Sequence, residues 1–166
     1  MTIVCNTSPI SNLAAIGQLA LLQQVYSSIV IPLAVSDEIA KVAAIYTQAA
    51  LVPSQPWITI QSVADTTVVQ RLQSKKLDAG ESEAIALALE LDAELLVIDE
   101  QLGRRIAIDE GLNIIGLIGV LLEAKSRGLI AKVKPLMDDL IVQARFRISM
   151  QLYTDILLLA SEQDLV

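Results

Sequence analysis

The sequence predicts an α/β fold of three layers, α/β/α, with a central parallel sheet of four to five strands. Short apolar runs of strand character alternate with helical patterns through residue 115. Several of these runs end in polar or acidic residues, and no repeat, linker or low-complexity tract interrupts them. Alternation of this kind favours parallel strands joined by right-handed helical crossovers, with helices on both faces of the sheet.

The first predicted strand is the apolar run Ile3–Cys5. It is followed by the polar residue Asn6, and Ser8 is then the predicted N-cap of a helix with Pro9 at its first position. Apolar residues continue at helical spacing and predict one or two short helices, broken near Gly17.

Ser28–Pro32 is the next extended run, and Leu33–Tyr46 is predicted to be a helix. Pro53 and Pro56 indicate a loop. The stretch Trp57–Ile60 alternates between apolar and polar residues and predicts a strand.

The second half of the chain begins with a predicted helix over Asp65–Lys76. A break at residues 77–80 precedes Glu81, which is predicted to open the most strongly apolar helix of the chain. Leu95–Ile98 is continuously apolar, as in a strand buried on both faces, and it leads directly into Asp99.

Gln101–Glu110 predicts a helix and Asn113–Ile115 a last short parallel strand. From Gly116 onward we expect about three helical segments, with breaks near residues 127–128, 135 and 146–149. We therefore predict one domain over residues 1–166, with a helical C-terminal extension from about residue 117.

Composition restricts the chemistry that this chain can carry. It has no histidine and one cysteine among 166 residues, which excludes Ser-His-Asp and Cys-His mechanisms and an internal disulfide. The net charge of −7 argues against a general nucleic-acid-binding protein, because phosphate binding depends on Lys and Arg. A nuclease stays possible, since a bound cation restores attraction for phosphate at an acidic site.

Hydrophobic residues make up 54% of the chain, yet no apolar run approaches the roughly 18 residues of a membrane-spanning helix. The first residues have neither a basic region nor a long apolar region, so they do not form a signal peptide. We expect a cytoplasmic protein.

Polar and acidic side chains are predicted to converge at one edge of the sheet. Asn6 and Asp99 follow predicted strands, and Glu81 lies in a first helical turn, where the helix dipole favours a carboxylate. Oxygen ligands from distant segments are what Mg²⁺ or Mn²⁺ requires, and such ions activate water for phosphodiester hydrolysis.

Purely structural roles are alternatives for several of these polar residues. Glu81 is equally explained as a surface glutamate compensating the helix dipole, and Glu38 as a solvated helix charge. Asp78 would simply cap the following helix, and Glu83 is expected to face solvent. Thr7 and Ser8 are explained by the turn and cap alone, with a substrate contact as the less favoured role.

The order of several short motifs resembles PIN-domain ribonucleases, in particular a branch near the VapC-type toxins of toxin–antitoxin pairs. These motifs are Asn6-Thr7-Ser8-Pro9, Glu38, Gly80–Ile85, Ile98-Asp99-Glu100 with Gly103-Arg104-Arg105, and Gly116–Lys125 with Gly128-Leu129-Ile130.

The resemblance implies a PIN fold, an acidic Mg²⁺ or Mn²⁺ pocket, an RNA substrate and frequently a homodimer. By position it assigns Asn6, Glu38, Glu81 and Asp99 to catalysis, with Asn6, Glu81 and Asp99 as metal ligands. Thr7, Ser8 and Arg104 are the predicted substrate contacts. The function implied is that of a toxin with endoribonuclease activity and an antitoxin protein as partner.

Asn6 departs from the family pattern, because PIN enzymes have an aspartate at this position. An amide oxygen can coordinate a cation but carries no charge, so we expect weak or absent activity. The alternative is a catalytically silent PIN-like module that binds protein or RNA. A receiver-like or nucleotide-binding α/β domain is less favoured, because the sequence has no G-x-x-x-x-G-K-[ST] loop.

Overall fold

The computed structural model describes residues 1–163 and confirms the predicted three-layer α/β/α architecture. Its central sheet has five strands, all parallel, in the order β3-β2-β1-β4-β5. The strands are β1 (Ile3–Cys5), β2 (Ile29–Pro32), β3 (Ile58–Gln61), β4 (Leu95–Val97) and β5 (Ile114–Ile115). Each corresponds to a predicted strand to within one residue at either end.

The helices surround this sheet on both faces. They are α1 (Thr7–Ala15), α2 (Ala20–Tyr26), α3 (Leu33–Val42), α4 (Thr66–Gln73), α5 (Ala79–Glu90), α6 (Gln101–Asp109), α7 (Leu117–Ser126), α8 (Lys134–Gln143) and α9 (Met150–Leu159), with a 3₁₀ helix at Thr47–Ser54. One layer contains α4, α5 and α6, and the other described helices contribute to the layer on the opposite face.

Side chains alternate between the two faces along the central strand, as the pleat of a strand requires. The core consists of two clusters of apolar side chains, one on each face of the sheet. Ile3 and Cys5 belong to the larger cluster, whereas Val4 belongs to the smaller cluster on the other face. In β4, Leu96 and Val97 divide between the clusters in the same way. Both faces are therefore buried by helices, which explains why these strands are apolar without interruption.

Several details of the predicted elements are wrong. Helix α5 begins at Ala79 and not at Glu81, because Asp78 caps it. The cap of α1 is Asn6 and not Ser8, because Pro9 is tolerated anywhere in a first turn, whose N–H groups lack helical partners. Helix α3 ends at Val42 and not at residue 46, since the chain tightens there and the Ile45 N–H donates to the Val42 carbonyl at 3.0 Å. Pro53 lies within the 3₁₀ helix instead of a loop.

The C-terminal extension begins at Leu117 and contains α7, α8 and α9, with the predicted breaks at residues 127–128 and 146–149 between them. The predicted break at Pro135 is wrong, because this proline lies in the first turn of α8, where its missing N–H is tolerated. The last three residues of the predicted domain, 164–166, lie outside the described part of the chain. Within residues 1–163, no helix is long and apolar enough to cross a bilayer.

The sheet core provides a direct test of this architecture. Leu96 in β4 is fully buried between β1 and β5. We expect Leu96→Ala to lower the free energy of unfolding by about 2–5 kcal/mol, measured by urea denaturation, because it leaves a cavity in a packed interior. Leu51→Ala, at a half-exposed position, is the matched control and should cost about 1 kcal/mol or less. Equal costs for the two variants would contradict the assigned burial.

Candidate functional site

The carboxyl ends of β1 and β4 lie side by side at one edge of the sheet. Cys5 pairs with Val97 across the two strands, and the Asn6 N–H donates to the Val97 carbonyl at 2.9 Å. Asn6 and Asp99 therefore leave neighbouring strands at the edge where parallel α/β sheets bind their ligands. The predicted convergence of these two residues at one edge follows from this pairing.

The Asn6 side chain is buried, with 3% of the residue exposed. Asn6 is the N-cap of α1, where an asparagine oxygen usually accepts a backbone N–H from the first turn. Across residues 1–163, however, its buried Oδ1 finds no hydrogen-bond donor. Leaving a buried acceptor in this condition costs about 1–3 kcal/mol, so this atom is a candidate ligand for a cation.

Asp99 presents a second oxygen of the same kind. Its Oδ1 accepts the Leu117 N–H at 2.7 Å, at the positive end of the α7 dipole. Its Oδ2 is buried and has no donor within the described part of the chain. Burial raises the pKa of the Asp99 carboxyl. The hydrogen bond from the Leu117 N–H and the positive charge of Arg104 offset part of this rise. We call Asn6 Oδ1 and Asp99 Oδ2 the strand-end oxygens.

Arg104 is held beside Asp99 by the backbone. Its Nη1 donates to the Ile98 carbonyl at 3.0 Å. Gly116 permits this arrangement, because a Cβ atom there would lie 2.6 Å from Arg104 Nη1 and 3.0 Å from Asp99 Oδ1. One cation and one carboxylate are thus fixed together where β4 ends.

Glu38 joins two helix N-termini. Its Oε1 accepts the Gly80 N–H at 3.1 Å, in the first turn of α5, and its Oε2 accepts the Thr7 hydroxyl at the start of α1. Glu38 is therefore not the freely solvated charge of the structural alternative. Both of its oxygens already have donors, which makes Glu38 a residue that positions Thr7 and α5.

Glu81 is buried in the first turn of α5, with 7% of the residue exposed. It forms a capping box with Asp78: the Glu81 N–H donates to Asp78 Oδ1 at 2.8 Å, and the Asp78 N–H donates to Glu81 Oε2 at 3.2 Å. The capping role considered for Asp78 is thereby confirmed. Burial raises the pKa of Glu81, and the negative charges of Asp78, Glu100 and Glu38 raise it further.

The sequence-predicted residues form two neighbouring groups. Asp99 and Arg104 lie together at the end of β4, while Glu38 and Thr7 contact each other close to Glu81. Glu81 Oε1 extends toward α6, where it lies 3.4 Å from the position that a Cβ of Gly103 would take. Over residues 1–163, no three His, Cys, Asp or Glu side chains are grouped to hold a metal ion. At this edge, the buried oxygens Asn6 Oδ1 and Asp99 Oδ2 have no donor among the described residues.

Glu83 was expected to face solvent, and this expectation is wrong. It is partly buried, and its Oε2 accepts the Ala34 N–H at 3.0 Å, in the first turn of α3. Sequence spacing placed Glu83 away from the apolar stripe correctly, but a bond across 49 positions has no local signal. Glu83 and Glu38 together connect α3 to α5 through backbone N–H groups.

A groove of about 790 Å³ opens next to Asp99. Ser8, Asn12 and Arg104 line it near the sheet edge, with Glu100 beside Asp99. Residues 144–147, in the segment between α8 and α9, also line this groove. The sequence pattern indicated this segment only as a helix break.

Gly80 provides a test of the contact made by Glu38. A Cβ at position 80 would lie 2.7 Å from Glu38 Oε1, so Gly80→Ala should cost about 1–3 kcal/mol in urea unfolding through overpacking. In a Glu38→Ala background the same change should be neutral or stabilising by up to about 1 kcal/mol, because alanine favours a helix over glycine. The same cost in both backgrounds would show that Glu38 does not approach Gly80.

Comparison with known proteins gives one match. A family described as a PIN domain matches residues 2–162, nearly the whole chain. No curated protein and no solved structure matches. The observed fold, a parallel sheet flanked by helices with acidic residues at its carboxyl edge, is consistent with a PIN domain. The chain belongs to the PIN-domain family.

Proposed function

We propose that this chain is a Mg²⁺- or Mn²⁺-dependent endoribonuclease, with activity weakened by Asn6. PIN domains are generally metal-dependent nucleases that act on RNA, so the family supports a nuclease-type function. The observation that carries the finer proposal is the pair of strand-end oxygens. Two buried acceptors without donors among residues 1–163, at the carboxyl ends of neighbouring strands, match the oxygen chemistry that Mg²⁺ and Mn²⁺ prefer.

Asn6, Asp99 and Glu81 are the residues proposed to hold the ion. A bound divalent cation would lower the pKa of a water molecule and neutralise charge on the phosphate. The raised pKa values of Asp99 and Glu81 reflect burial without enough positive charge nearby, which a cation would supply.

The remaining predicted residues take supporting roles. Glu38 positions Thr7 and the first turn of α5, which carries Glu81. Ser8 and Arg104 line the groove beside Asp99 and are the proposed substrate contacts. Thr7 is also a proposed substrate contact, although its hydroxyl donates a hydrogen bond to Glu38.

A silent PIN-like module that binds protein or RNA is the second candidate. The observation that favours it is Asn6 itself: with an uncharged amide at this edge, no three acids within residues 1–163 are grouped for a metal ion. In that case the buried acids are a remnant of a metal site. Metal affinity distinguishes the two candidates.

We further propose that the protein is the toxin of a type II toxin–antitoxin pair and forms a homodimer. The toxin assignment rests on the resemblance to VapC-type sequences, and the antitoxin is its implied partner. The dimer is supported by apolar side chains that α8 and α9 leave exposed: Ile141, Val142, Met150, Leu158 and Leu159. Exposed apolar surface of this kind commonly marks an interface.

Asn6→Asp tests the metal site. We expect it to tighten Mn²⁺ binding about 10- to 100-fold, since it restores a negative charge at the site, which corresponds to about 1.4–2.7 kcal/mol. At saturating Mn²⁺ the Tm should then rise by about 3–10 °C more than for the parent chain. Cleavage of an RNA pool should increase at least tenfold.

Two controls accompany this variant. Gln70→Glu adds the same charge at an exposed position of α4 and should change neither Mn²⁺ binding nor cleavage. Asp99→Asn in the Asn6→Asp background should remove most of the gain. If neither Asn6→Asp nor excess Mn²⁺ yields cleavage of any RNA, the silent module replaces the enzyme.

The proposed dimer is tested by charge insertion in α9. Leu158 and Leu159 are 56% and 73% exposed in the single chain. Leu158→Asp with Leu159→Asp should convert a dimer to a monomer in light scattering, because it places carboxylates in an apolar interface. Ile45→Asp, at a 71% exposed position before the 3₁₀ helix, is the control and should leave the mass unchanged. A monomeric parent chain would refute the dimer.

A further inference from the structure

Two arginines of the C-terminal extension face the same groove as Asp99. Arg145 and Arg147 lie between α8 and α9, and both are exposed. Together with Arg104 they give the groove three of the 12 basic residues of an otherwise acidic chain. The lining of the groove therefore contains these three arginines together with the acidic residues Asp99 and Glu100.

Arg104 lies beside the Asp99 carboxylate, but no protein carboxylate within residues 1–163 forms an ion pair with Arg145 or Arg147. Within residues 1–163, ion pairs involve Arg71, Lys75, Lys125, Arg127 and Lys134, but none involves an arginine that lines the groove. Arginines without a carboxylate partner keep their full charge and their planar donor sets available for phosphate. Such a concentration of charge in a concave surface attracts polyanions.

The backbone between the two arginines is held in place. Phe146, the single phenylalanine of the chain, is partly buried against the larger apolar cluster, and its N–H donates to the Leu140 carbonyl at 3.0 Å. Arg145 adopts a φ of 55°, a left-handed conformation that turns the chain at the end of α8. The arginines thus extend from a fixed turn, and Phe146, which lies between them in the sequence, also lines the groove.

We propose that the Arg145-Phe146-Arg147 segment is a binding site for single-stranded RNA, in which the guanidinium groups contact backbone phosphates. This proposal rests on the ribonuclease function proposed above and adds a second contact region to the same groove. Positive grooves with an interposed aromatic side chain are typical of single-strand binding. An RNA strand seated here continues past Arg104 toward Asp99.

An acidic protein segment is the competing occupant of an arginine-lined groove. The shared groove favours RNA, because the arginine segment and the proposed metal ligand Asp99 line one cavity. The groove also contains Ser8 and Arg104, the other proposed substrate contacts of the ribonuclease, so a strand bound at the arginine segment lies in the cavity where the phosphodiester is proposed to be cleaved.

Binding of fluorescein-labelled 15-nucleotide oligouridine, measured by anisotropy in EDTA, tests the proposal without any cleavage. Arg145→Gln with Arg147→Gln should weaken binding at least tenfold at low salt. The slope of log K against log salt should fall by about 1.4, or about 0.7 for each phosphate that an arginine no longer neutralises. Lys41→Gln with Lys76→Gln removes the same charge from exposed positions outside the groove and should change affinity less than threefold.

Equal effects of the two double variants would overturn the proposal, as would a parent chain that does not bind the oligonucleotide. Binding of polyglutamate through these arginines, with no binding of RNA, would also overturn it and assign the surface to an acidic protein. The assay separates this inference from the enzyme proposal. Arginine-dependent RNA binding stands even if Asn6→Asp never cleaves, and full cleavage by the arginine variant in that background rejects the inference alone.

Discussion

The candidate site depends on the parallel pairing of β1 with β4. This pairing places Cys5 opposite Val97 and so brings Asn6 and Asp99 to one edge, although 92 residues of chain separate them. Helices packed on both faces of the sheet then exclude water from the backbone ends of these two side chains. Burial of polar oxygens at a sheet edge is costly, and the fold offsets that cost only in part, through the Leu117 N–H and Arg104.

The strands of the sheet could be predicted from the sequence, because a short, continuously apolar run such as Leu95–Val97 is typical of a strand buried on both faces. Asn6 and Asp99 could be located by the same logic, since both follow such runs. Contacts between distant segments left no local signal. The hydrogen bond from Gly80 to Glu38 depends on tertiary packing, which periodicity does not encode, and so does the presence of Arg145 and Asp99 in the lining of one groove. Gly80 carried a partial clue, because glycine in a first helical turn permits close approach.

Asn6 sets the electrostatic balance of this edge. Glu81 already experiences repulsion from Asp78, Glu100 and Glu38, and each of these charges raises its pKa. With an amide instead of a carboxylate at position 6, the site contains one negative charge fewer when no cation is bound. The same substitution leaves less attraction for a cation, so stability without the ion and affinity for the ion oppose each other at one residue.

Cys5, the only cysteine, lies fully buried in β1 directly before Asn6, and burial raises the pKa of its thiol. A protonated sulfur inside the sheet reacts slowly with maleimides and oxidants, because the thiolate is the nucleophile. The native chain is therefore expected to react only slowly with thiol-directed dyes. A cysteine introduced on the surface would be labelled selectively, without first removing the natural one from the central strand.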